Sequence, residues 1–73
     1  MLGQWTAIIR REEDLYVAMC PELDIASQGA TVEDARANLA EAVGLFLECA
    51  SQEEMGRRTS GEVYVTQFEA NVA

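Results

Sequence analysis

Thirteen acidic side chains, two cysteines and no histidine set the limits of what chemistry this chain can do. Glu12, Glu13 and Asp14 stand in a row, and Glu22 and Asp24 follow a little further on. A metal-dependent nuclease is therefore the first chemistry to weigh. Two-metal phosphoryl chemistry needs several carboxylates converging on ions about 4 Å apart. Here the acidic residues fall in stretches that read as loops or on a helix surface. None sits at the centre of a strand, and no imidazole is present for proton transfer. Cys20 and Cys49 supply only two of the four Cys or His ligands that a structural zinc recruits. The reading is of no enzyme, no metal and no cofactor, with the carboxylates left as recognition groups.

A formal charge of -8 and a pI near 4.2, with five arginines and no lysine, oppose the phosphate-neutralising surface that nucleic-acid binding requires. The same balance suits either plain solubility or a basic protein partner steered in by charge. No run approaches the ~20 apolar residues that span a bilayer. The N-terminus has neither the basic start nor the apolar block of a signal peptide, so the expected location is the cytoplasm. Cys20 lies in an apolar strand and Cys49 in an apolar helical stripe, which reads as two buried thiols of a reducing compartment rather than a disulfide.

These groups must be carried by a small set of elements. Gln4 to Arg11 and Leu15 to Cys20 are rich in β-branched and aromatic residues on either side of the acidic triplet, the pattern of a β-hairpin. Pro21-Glu22-Leu23-Asp24 turns the chain into a third strand over 25–28. Gly29 then supplies a residue free to take positive φ. Thr31 with Glu33 and Asp34 marks a helix start. Val32, Ala35, Leu39, Ala42, Val43, Phe46, Leu47 and Ala50 continue as one apolar stripe, predicting a single helix over 32–55 that stops at Gly56. A polar loop over 57–61 precedes a fourth strand over 62–69, where Val63 and Val65 alternate with Tyr64, Thr66 and Phe68. The order β-β-β-α-β gives one α+β domain over 1–73, a small antiparallel-type sheet with one helix packed on one face.

One helix covers one face of a sheet, yet the strands carry apolar side chains in both parities. Leu15, Val17 and Met19 alternate with Tyr16, Ala18 and Cys20. The uncovered face predicts self-association, as a dimer or tetramer, or a protein partner.

The segment Tyr16-Val17-Ala18-Met19-Cys20-Pro21-Glu22-Leu23, then Ala26-Ser27-Gln28-Gly29, Thr31, Glu33, Ala35, Asn38-Leu39, Glu41-Ala42 and Phe46-Leu47-Glu48, resembles the HicB-like antitoxins of bacterial toxin-antitoxin systems. The resemblance covers roughly Trp5 to Glu48. It implies a partial RNase H-like fold and a partner, a small basic mRNA interferase of the HicA type whose catalytic surface the antitoxin covers. Many family members add a C-terminal DNA-binding domain. Too few residues follow Phe68 for two DNA-reading helices, so no direct nucleic-acid binding is carried over.

On this reading Glu12, Glu13, Asp14, Glu22 and Asp24 face basic groups of the partner, and Trp5 and Tyr16 are candidate interface anchors. Each also has a plainer role, as a solvated loop carboxylate or as a packed aromatic. Gly44 interrupts the helix at a cost of about 1 kcal/mol relative to alanine, either by accident of composition or to permit close approach at a contact. The alternative function is a solitary homo-oligomeric module that binds another protein or a ligand. The nuclease reading stands behind both.

Overall fold

The computed structural model of the chain describes residues 3–59 and 61–72. The two apolar runs flanking the acidic triplet form β1 (Ile8–Glu12) and β2 (Leu15–Cys20), paired antiparallel with Glu12 opposite Leu15. Glu13 and Asp14 alone make the turn, and Glu13 sits at φ 56°, a left-handed conformation that L-residues adopt uncommonly. β3 (Ile25–Gly29) pairs antiparallel with β2, from Cys20 opposite Ile25 to Tyr16 opposite Gly29. The sheet order is β1-β2-β3, so β1 and β3 are both edges.

Between β2 and β3 the turn at 21–24 drives Leu23 fully into the core, and Asp24 takes the second positive φ, also 56°. β1 is shorter than its composition predicts because of this turn. Its partner strand ends at Cys20, and Pro21 has no N–H to extend a ladder. The Thr6 amide donates instead to the Glu22 carboxylate, so residues 3–7 run beside the sheet without joining it.

Helix α1 (Val32–Cys49) starts where Thr31 predicts, with the Thr31 Oγ1 accepting from the Asp34 amide at 3.0 Å. The Asn38 side chain donates to the Gln28 carbonyl at 2.8 Å and ties the helix to β3. Gly29 is needed here for a reason other than positive φ, which it does not adopt. A Cβ at Gly29 would lie 2.5 Å from the Ala35 nitrogen and 2.7 Å from the Asp34 carbonyl carbon, so glycine permits the helix's first turn to sit on the strand end.

The core between helix and sheet is Ala18, Cys20, Leu23, Ala35, Leu39 and Val43, with Ile9, Tyr16, Ile25, Phe46 and Leu47 packed around it. This is the expected α+β arrangement of three antiparallel strands under one long helix. Its C-terminal third differs from expectation. The helix does not run on to Met55: Ala50 turns extended at ψ 140°, and a second helix, α2 (Gln52–Thr59), begins under a new cap. Ser51 Oγ accepts from the Glu54 amide at 3.1 Å, and Ser51 with Glu54 has the spacing of a capping box, which competes with continuation of α1.

Gly56 therefore lies inside a helix rather than ending one, and residues 57–59, expected as loop, are helical. Cys20 is buried as expected, but Cys49 is exposed, because it falls off the Val43, Phe46, Leu47 stripe at the helix end. The described residues from 61 to 72, which include the expected fourth strand over 62–69, are all exposed and pair with no strand among the described residues.

Candidate protein-binding surface

Strand register decides which side chains share a face. Ile8, Met19 and Ala26 are cross-strand neighbours, followed by Arg10, Val17 and Gln28, and then by Glu12 and Leu15. All of these lie on the side opposite Tyr16, Ala18 and Cys20, the residues α1 covers. Neither helix packs on this far face. Ile8 remains 40% and Met19 38% exposed, while Leu15 and Val17 are half-buried by their neighbours alone. The result is an apolar strip rimmed at one end by Arg10, Glu12 and Gln28, the arrangement of a protein interface with an apolar centre and a polar rim.

That rim leads into the hairpin tip, where Glu12, Glu13 and Asp14 are all exposed. The tip's own arginines fold onto it. Arg10 pairs with Glu12 at 3.7 Å, and the Arg11 Nε donates to the Glu13 carbonyl at 3.0 Å. Such open pairs contribute little to stability, and three carboxylates against two guanidiniums leave the tip negative.

Glu22 and Asp24 lie at the other end of β2, about 20 Å away by strand rise. The structure therefore does not bring the five candidate carboxylates together. Glu22 is a clasp. Its carboxylate accepts from the Thr6 amide at 3.1 and 3.2 Å and from the Thr6 hydroxyl at 2.6 Å, fastening the N-terminal segment to the turn. Hydrogen bonding from Thr6 holds its carboxyl below the usual carboxylate range. The Cys20 thiol donates to Glu22 Oε1 at 3.5 Å, and burial pushes that thiol up. Asp24 is exposed at its left-handed turn position. Tyr16 is half-buried against the core on the helix side, which makes it a packing residue of the fold.

Trp5, 38% exposed, forms one wall of a groove of about 700 Å³ between residues 3–7 and α1, with Ala7, Leu39, Ala40, Gly44 and Leu47 among its lining. The groove exists because α1 lies over β3 and β2 and barely reaches β1. The small residues Ala40 and Gly44, one helical turn apart, are the sequence signal for it. Arg58 carries no such signal, although it anchors α2: its guanidinium donates to the Leu23 carbonyl at 2.6 Å and stacks 5.3 Å over the Phe46 ring.

Among the described residues, no three Cys, Asp or Glu side chains converge as a metal site would require, and no helix is long and apolar enough to cross a membrane. Compared with protein-family models, with curated proteins and with solved structures, the chain finds no match in any of the three.

Proposed function

We propose that this chain is a non-enzymatic antitoxin of the HicB-like kind, which binds and neutralises a small basic HicA-type mRNA interferase in the cytoplasm. The observation that carries the reading is the bare sheet face. Ile8, Met19 and Ala26 form an apolar strip continuous with the polar rim and the acidic tip at Glu12, Glu13 and Asp14. An apolar centre gives a partner area to bury, and an acidic edge beside it steers a basic protein into register and speeds its arrival. The sequence resemblance over Trp5 to Glu48 supports the choice of partner, and the charge of -8 supports its sign.

The test is co-expression with a small basic toxin encoded beside this gene, followed by purification and an RNA-cleavage assay. A stable complex, loss of cleavage and restored growth are expected, with affinity falling as salt rises. Met19→Asp should abolish capture while the chain stays folded, because that side chain supports nothing in the core. Failure of the two proteins to associate at low ionic strength overturns the reading.

A further inference from the structure

The segment after α2 has the composition of a strand and the exposure of a tail. Val63 is 44%, Tyr64 78%, Val65 62% and Phe68 88% exposed, although the alternation over 62–69 presents apolar side chains in both parities. The tail stands off the body. The radius of gyration is 14.3 Å and the longest extent 47 Å, against about 11 Å of gyration radius for a compact chain of this length. The tyrosine hydroxyl donates to Glu62 within the tail itself, which leaves the ring free to be buried without stranding a polar group.

The body meanwhile lacks what the tail could supply. β1 is an unpaired edge, and the groove between α1 and residues 3–7 is open beside it. At Gly44 a Cβ would meet no atom within 4 Å, so the groove wall is flat where a neighbouring backbone would run. Arg36 lies in the groove lining and forms no ion pair with any described residue, whereas Glu62 and Glu69 bracket the tail's apolar stretch.

We infer that the chain is a symmetric dimer in which residues 62–69 of each copy lie along β1 and in the α1 groove of the other, with Tyr64 and Phe68 filling the groove. Each tail then becomes the fourth strand of its neighbour's sheet, while Val63 and Val65 extend the apolar far face that begins at Ile8 and Met19. Reciprocal exchange closes on itself and leaves no further groove open. Four aromatic side chains bury about 600–1,000 Å² on the tails alone. With the matching groove walls this reaches the roughly 1,200–2,000 Å² of a standard interface. The inference does not depend on the toxin, since it concerns the isolated chain.

Sedimentation velocity on the full chain tests it, with three variants. Wild type should sediment as a dimer at micromolar concentration. Phe68→Asp changes only an exposed residue, so its monomer folds. It should dimerise roughly a thousandfold more weakly, since a buried aromatic hot spot is worth about thirtyfold and occurs twice. Gly44→Trp fills the groove and should also give a monomer with unchanged circular dichroism. Mixing these two variants leaves one intact tail facing one intact groove, so a heterodimer should reappear. Met19→Asp should leave the dimer mass unchanged. A monomeric wild type at 100 µM, a dimer that survives Phe68→Asp, a mixture that stays monomeric, or dissociation by Met19→Asp would each overturn the exchange.

Discussion

The two faces of the sheet are built from the same three strands and fare differently. On one, Ala18 and Cys20 are sealed beneath Ala35, Leu39 and Val43. On the other, Ile8 and Met19 are left in solvent by the same alternation one residue out of phase. Hydrophobicity is comparable on the two sides, so the difference comes from coverage. A single helix of 18 residues can shield one side only, and what it shields becomes the core. The far side is then free to serve recognition, because changing it costs the fold little.

The sharpest way to break this comparison is a matched pair of substitutions. Leu39→Ala, at a site 4% exposed, should cost about 2–5 kcal/mol in chemical denaturation. Met19→Ser on the far face should stay within about 0.5 kcal/mol of wild type. Equal losses would mean that both faces are core. Next in size is Gly29→Ala, where the new methyl meets backbone at 2.5 Å. A loss of about 1–3 kcal/mol is expected, with the start of α1 displaced in amide exchange.

Glu13→Gly should act in the opposite direction, relieving the φ of 56° at the hairpin tip and raising stability by about 1 kcal/mol in the same denaturation assay. If the proposed basic partner docks at the hairpin tip, the lost charge should also weaken that binding slightly. The smallest effect concerns Glu22. Its carboxyl is depressed in the folded chain, so the clasp contributes fully above the unfolded value of about 4.3 and is lost as pH falls through the lower folded value. Fluorescence of Trp5, the sole tryptophan, should report release of the N-terminal segment on acidification. Glu22→Gln should flatten that acid transition.

Local signals were readable where they acted alone. Thr31 placed the start of α1, and Pro21 placed the end of β2. The apolar spacing identified Ala35, Leu39 and Val43 as buried and Phe46 and Leu47 as packed beside them, whereas Val32, counted in the same stripe, is exposed. Two competing signals were harder to rank: Ala50 prolongs the apolar stripe, while the Ser51–Glu54 pair one residue later starts a new helix and prevails. Non-local terms left no local trace. Thr6 and Glu22 lie 16 residues apart, and nothing in either neighbourhood announces the clasp that fastens residues 3–7 to the turn. Of the candidate site, the hairpin tip and the bare face could be read from alternation and charge. Tyr16 could not be assigned to a face until strand register fixed which parity meets the helix.

The attachment of α2 has a mechanical consequence. Among the described residues, the Arg58 guanidinium ties it to the turn, shared between the Leu23 carbonyl, 35 residues back along the chain, and the Phe46 ring. Tension applied at the C-terminus would therefore peel this helix away as a fuse at low load. The three strands and α1 would stay intact until a much larger force sheared the β2–β3 ladder.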